Sequence, residues 1–171
     1  MRTNSYSKTA FNILIAVIFM SATLLTSCSG ESFRPFQLKM DGVYYSLEYD
    51  KGNNAIITHY DPEIFHNKTK FEIPETITAY NLTYNVSRIG ENAFCNSDLE
   101  YIVIGENITF ISKFAFKGAG NLHTIMVKGL ELPILQPGAF DDTVFKNAVL
   151  LLNANTSITG AWENFEQVKY Y

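Results

Sequence analysis

Ile89-Gly90-Glu91-Asn92-Ala93-Phe94, Ile111-Ser112-Lys113-Phe114-Ala115-Phe116 and Leu135-Gln136-Pro137-Gly138-Ala139-Phe140 repeat one phrase: an aliphatic residue, three variable positions, then Ala-Phe. The phenylalanines stand 22 and 24 residues apart. Between the phrases lie short alternating stretches, Phe71-Glu72-Ile73, Ile102-Val103-Ile104, Ile125-Met126-Val127 and Leu150-Leu151-Leu152, whose first residues are 31, 23 and 25 positions apart. Leu99 and Leu122 precede the second and third stretches by three residues. One strand and one turn cannot bury their own apolar face, so units of this length lend side chains to a column shared with their neighbours. Phe94, Phe116 and Phe140 are the expected column, and the alanine before each lets adjacent backbones approach.

Periods of 20–29 residues with one short strand per unit mark a leucine-rich-repeat solenoid. Three to four units are expected. The third carries Pro133, Pro137 and one or two extra residues, which predicts an irregular return coil. Ahead of the repeats, Val43–Tyr49 and Ala55–Tyr60 are rich in Tyr, Ile, Val and Thr and flank the turn formers Asp50-Lys51-Gly52-Asn53-Asn54, which predicts a β-hairpin.

The chain opens with Arg2 and Lys8 ahead of an apolar run from Ile13 to Leu25. That run is shorter than the roughly 20 apolar residues a membrane-spanning helix needs, and reads as a secretory leader. It ends in Leu25-Thr26-Ser27-Cys28, which resembles a bacterial lipobox and implies acylation of Cys28 and cleavage before it. Two acyl chains suffice for a stable anchor. Residues 1–27 are thus expected to be a lipoprotein signal peptide and 28–40 a lipidated tether. Removing Arg2 and Lys8 leaves 11 basic groups, of the 13 present, against 17 acidic ones, a net charge of −6. No window gathers Lys and Arg with aromatics, so nucleic acid is not an expected partner. Cys95 is then the only other cysteine and, beside Ala93-Phe94, is expected to be a buried, inert thiol.

The repeat phrases resemble the BspA-like leucine-rich-repeat proteins, many of which are bacterial surface lipoproteins. Asp41-Gly42-Val43-Tyr44-Tyr45 is similar to the hairpin that often starts such chains, and Phe71-Glu72-Ile73-Pro74 to their first strand. Asn81-Leu82-Thr83-Tyr84-Asn85-Val86 is similar to the inserted hairpin strand, and Trp162-Glu163-Asn164-Phe165-Glu166-Gln167-Val168 to the terminal cap. Asn153 departs from the family's usual proline after the last strand. The resemblance implies a mainly β fold: a short right-handed leucine-rich-repeat solenoid with an N-terminal β-hairpin over 41–70 and a solenoid over 71–171. A C-terminal cap would occupy about 148–171.

Chemistry is sparse in this sequence. His59 and His66 flank Asp61-Pro62-Glu63 but lack a third ligand at a metal-binding spacing, and Asp141-Asp142 lacks the glycine and alternating carboxylates of a calcium loop. No phosphate-loop, dinucleotide or nucleophile-elbow motif occurs. Neither a catalytic residue, a metal site nor a cofactor is therefore assigned. The strand period of two, with Ile102 and Ile104 inward, turns Tyr101, Val103, Thr124, Met126, Val149 and Leu151 outward as a candidate binding face, with Lys70 and Glu72 at its start. The alternative is that the hairpin of 43–60 or the cap covers these residues. Asp142-Thr143-Val144 fits an acceptor pattern for bacterial O-glycosylation at Thr143.

Family and address together imply a cell-envelope lipoprotein, anchored at the outer membrane, that acts as a non-enzymatic protein- or glycan-binding or adhesion module. The alternative is a periplasmic structural or accessory lipoprotein of an envelope complex. Ser29-Gly30-Glu31-Ser32 carries one acid where surface-exported lipoproteins often carry an acidic run, so the two sidednesses stay open.

Overall fold

Local turn chemistry sets the N-terminal part. A computed structural model of the chain describes residues 37–48, 52–65 and 68–171; the expected leader, Cys28 and residues 28–36 of the expected tether lie outside the described residues. Strands β1 (Gln37–Met40), β2 (Val43–Glu48) and β3 (Asn54–Tyr60) form an antiparallel meander. Residues 37–40 are therefore strand and not tether. The signal is Asp41-Gly42: both residues have positive φ (51° and 83°), the geometry of the two-residue hairpin turn whose twist suits the flanking strands. A short helix α1 (Pro62–Phe65) leads into β4 (Lys70–Glu72). Strands β5 (Thr76–Ala79) and β6 (Leu82–Ile89) then form a second tight hairpin through Tyr80-Asn81, again both at positive φ.

From β6 to β11 the chain alternates between two sheets. Strands β7 (Tyr101–Ile104), β8 (Phe110–Ile111), β9 (Thr124–Val127) and β10 (Ile134–Leu135) are followed by helix α2 (Asp142–Asn147) and β11 (Val149–Leu152). A 3₁₀ turn (Gly160–Asn164) and β12 (Gln167–Tyr170) complete the chain. One sheet has the order β12-β11-β9-β7-β4 and is parallel throughout. The return sheet runs β1-β2-β3-β6-β8-β10, parallel from β3 onward, with β5 pairing on β6. The N-terminal hairpin thus extends the return sheet through β3 and does not cover the opposite one.

The repeat count exceeds the three to four units read from the sequence. Five strands stack in the first sheet because Gln167–Tyr170, within the expected cap, pairs parallel with β11. The third unit keeps its register despite its prolines: Ile134 and Gln136 N–H donate to Thr109 O and Ile111 O, both at 3.0 Å. Its extra residues are taken up at 129–133, where Trp162 Nε1 donates to Pro133 O at 2.7 Å.

The expected column is present. Phe94 and Phe116 stack with centroids 5.3 Å apart and planes 9° apart, and Phe116 and Phe140 at 4.8 Å and 6°. Tyr60 of β3 continues the series ahead of Phe94 at 6.1 Å and 13°. Trp162 and Phe165 meet Phe140 edge-on at the other end, at 6.2 and 5.8 Å. Ala93, Ala115 and Ala139 are buried, and the small side chains let the turns bond directly: Phe94 N–H donates to Ala115 O at 2.7 Å and Phe116 N–H to Ala139 O at 2.8 Å. The residue before each Ala-Phe is left-handed, with φ of 57° at Asn92, 61° at Phe114 and 73° at Gly138. Asn and Gly tolerate that region; a bulky residue there is held against a steric cost.

Gly90 brings the backbone of the repeats directly against that of the meander. Its N–H donates to Ile57 O at 2.7 Å, and a Cβ would stand 2.5 Å from that same oxygen. Gly90→Ala is expected to destabilise by about 1–3 kcal/mol in urea unfolding, as overpacking against backbone does. Gly120→Ala, with nothing within 4 Å of its added Cβ, is the control and is expected to be neutral or to stabilise by up to about 1 kcal/mol. Phe114→Asn is expected to leave stability within about 1 kcal/mol of wild type, because relief of left-handed strain of about 1–2 kcal/mol offsets the loss of two exposed cation–π contacts of about 0.5–1 kcal/mol each.

Candidate functional site

The all-parallel sheet aligns the outward positions of its strands into rows. Register places Lys70, Tyr101, Thr124, Val149 and Gln167 in one row and Glu72, Val103, Met126, Leu151 and Lys169 in the next. Tyr101, Thr124, Met126, Val149 and Leu151 are half-buried and reach the surface. The structure brings all six sequence-derived residues onto one face.

Val103 is the correction within that set, being only 4% exposed. The reason is an ion pair that the sequence reading missed. Lys128 Nζ lies 2.5 Å from Glu72 Oε1 and joins β9 to β4 over the intervening β7. The two strands are about 9–10 Å apart, so the aliphatic stems of both side chains span the strand that carries Val103. Gly105, one position beyond the Ile104–Val127 pairing, presents no side chain beside Lys128. The missed signal was available: Lys128 follows Met126 by two residues and so faces the same way.

Polar contacts order the rest of the face. Tyr101 Oη donates to Met126 Sδ at 3.3 Å, and Lys70 Nζ stands 4.6 Å from the Tyr101 ring centroid. His123 Nε2 lies 3.8 Å from Glu100 Oε2, and its Nδ1 is 3.0 Å from Thr124 Oγ1. Tyr171 Oη donates to Val127 O at 3.3 Å. The face therefore has an apolar middle of Tyr101, Met126, Val149 and Leu151, with Lys70 and Glu72 at the β4 edge and Lys169 at the β12 edge. It can contribute van der Waals contact and peripheral hydrogen bonds. Its His123–Glu100 pair is solvent-exposed on both sides, and among the described residues no three His, Cys, Asp or Glu side chains cluster as a metal site would require.

Other sequence candidates fall elsewhere. His59 stacks on Tyr44 at 4.0 Å in the return sheet, while His66 lies outside the described residues. Asp141 Oδ2 accepts from Gly118 N–H at 2.7 Å, a role within the turn. Thr143 is exposed on the first turn of α2, and the adjacent Val144 is buried. Cys95 is free and half-buried, not fully buried as expected, because it sits on the outer part of the turn whose carbonyls at Cys95 and Asn96 accept from Tyr60 Oη.

With this geometry established, comparison with known proteins defines the class. Residues 62–170 match the model of the BspA type leucine rich repeat region in six copies, and the chain belongs to that family. It is similar in fold to a leucine-rich repeat protein from Bacteroides capillosus, with a TM-score of 0.55 and 19% identity over 80% of this chain and 99% of that one. A leucine rich cell surface protein from Faecalibacterium prausnitzii matches with a TM-score of 0.49 and 20% identity over 81% of this chain and 33% of that one. The pneumococcal vaccine antigen PcpA matches with a TM-score of 0.46 and 17% identity over 79% and 38%. No curated protein matches the chain.

The Lys128–Glu72 pair gives the face a pH dependence. Its hydrogen bond to Lys128 holds the Glu72 carboxyl below the usual glutamate value near 4.5, and the same bond raises the Lys128 ammonium. The depressed carboxyl contributes stability above pH 4.5 that is lost as pH falls through its folded value; the raised ammonium contributes below the ordinary lysine range and is lost at high alkalinity. Lys128→Met is accordingly expected to melt lower than wild type at pH 7 in low salt, and the gap is expected to close as pH falls through the depressed folded value of Glu72 and in 1 M salt.

Proposed function

We propose that the protein is a cell-envelope lipoprotein that binds a protein or glycan non-enzymatically through the parallel-sheet face. The observation carrying this reading is the apolar row system itself: Tyr101, Met126, Val149 and Leu151 remain at the surface although the hairpin and the C-terminal strand could have covered them. A contiguous apolar patch with an aromatic and a methionine suits recognition. Membership of the BspA-type family supports a binding or adhesion role.

The anchor belongs to the same reading. Leu25-Thr26-Ser27-Cys28 supports acylation at Cys28 and placement at the outer membrane, and two acyl chains hold such a protein stably. Exposure of Thr143 supports its use as an O-glycosylation acceptor, which intact mass of the protein from its native host tests. The periplasmic accessory role is the second reading, favoured by the single acid in Ser29-Gly30-Glu31-Ser32.

Fatty-acid labelling with Cys28→Ala as control, followed by external protease on intact cells, separates these readings. Labelling abolished in Cys28→Ala with protease sensitivity is the expected result; a labelled but protected band selects the periplasmic role, and no label overturns the anchor. For the face, Met126→Glu and Leu151→Lys are expected to weaken binding at least tenfold for any ligand found in glycan or extracellular-protein arrays. Unchanged binding by both variants removes the face from the proposal.

A further inference from the structure

Among the described residues, seven other than glycine have positive φ, and five of them are Asp or Asn, which tolerate it. Of the other two, Tyr80 sits in the two-residue β5–β6 turn, whose type requires positive φ, whereas Phe114 sits in no hairpin. It occupies the left-handed position filled by Asn92 one unit earlier and Gly138 one unit later, and burial does not account for it, since it is 36% exposed. Its ring rests on Gly138, where an added Cβ would stand 3.0 Å from Phe114 Cε1. Lys117 Nζ and Lys113 Nζ lie 4.9 and 5.9 Å from the ring centroid. Lys113 also reaches the Glu91 carboxylate at 3.4 Å, with both side chains about half exposed, whereas Lys117 has no ion pair among the described residues. The steric cost thus holds a phenyl ring at the surface within cation–π reach of two ammonium groups, and strain retained at an exposed aromatic is a mark of use.

The backbone around the ring narrows the partner. Lys113 N–H donates to Gln136 Oε1, Phe114 N–H to Gly138 O, Ala115 N–H to Ser112 O, Phe116 N–H to Ala139 O and Lys117 N–H to Phe114 O. Five successive amides are committed within the stack, so the turn offers no ladder to an extended peptide. Recognition here must run through side chains. A pyranose brings its own hydroxyls, presents a flat C–H face of phenyl size, and needs only a ring and a charge.

We propose that Phe114, Lys113 and Lys117 form a binding spot for an acidic sugar, a pyranose bearing a carboxylate as in a uronic-acid polymer. The sugar face lies on the Phe114 ring, and its carboxylate draws the Lys117 ammonium off the ring, with Lys113 exchanging Glu91 for the ligand. The spot lies on the turn after β8, outside the rows of the parallel-sheet face, and does not depend on that face binding anything.

The test is affinity electrophoresis of the purified full-length protein through polygalacturonate, with fully methyl-esterified polymer and poly-glutamate as comparison matrices. Wild type is expected to be retarded by polygalacturonate alone. Phe114→Asn, which fits the left-handed backbone, and Lys117→Gln are each expected to weaken retardation at least tenfold with melting temperatures close to wild type, while Tyr101→Ala leaves retardation unchanged. No retardation of wild type overturns the proposal, as does equal retardation of the Phe114 and Lys117 variants. Equal retardation by poly-glutamate assigns the spot to acidic peptides instead, retention by the methyl ester removes the charge requirement, and loss in Tyr101→Ala moves binding to the other face; each overturns the assignment made here.

Discussion

The structure depends on near-parallel contact between successive aromatic rings in the interior. Each Ala-Phe turn places one ring on the ring of the previous unit and simultaneously donates a backbone N–H to the next turn's carbonyl. The two contacts reinforce each other: offset stacking works only at a narrow range of separations, and the buried alanine sets that separation by leaving no side chain between the backbones. Strand pairing in both sheets follows, because once consecutive turns are fixed at this spacing the parallel strands arrive in register. Side chains outside the column decorate a frame that these contacts have already determined.

Ends are handled by aromatic residues of other kinds. Tyr60 continues the stack from the N-terminal meander and uses its hydroxyl on the carbonyls of Cys95 and Asn96, which suits a boundary position where one edge of the ring meets polar backbone. Burial raises the pKa of that phenol, so it remains a donor. Trp162 and Phe165 close the other end edge-on, with the indole N–H held by Pro133 O. A ring that must also satisfy a buried polar group is better placed at an end than mid-column.

Much of this was legible because the residues involved are local and periodic. Ala93-Phe94 and its two echoes announce the turns, and Ile102-Val103-Ile104 announces a strand and its outward face. The missed features join positions distant in sequence or depend on backbone sign. Lys128 and Glu72 are 56 residues apart, so only the register, not the sequence neighbourhood, makes them partners and hides Val103. Asp41-Gly42 opens the expected hairpin in the sequence, and because nothing before it shows a strand period, the turn it makes with Gln37–Met40 is not anticipated. The left-handed position before Ala-Phe was obscured because Asn92, Phe114 and Gly138 share no side-chain chemistry; they share only a backbone angle.

Tyr60 and Gly90 together have a consequence for how the molecule comes apart. Among the described residues the meander is joined to the repeats through a shared ring stack, through the Gly90–Ile57 backbone bond and through the β3–β6 pairing. In a linear array each unit's persistence depends on its neighbour's. Amide exchange should therefore show protection falling gradually toward both termini, not a step between a separately melting hairpin and a repeat block.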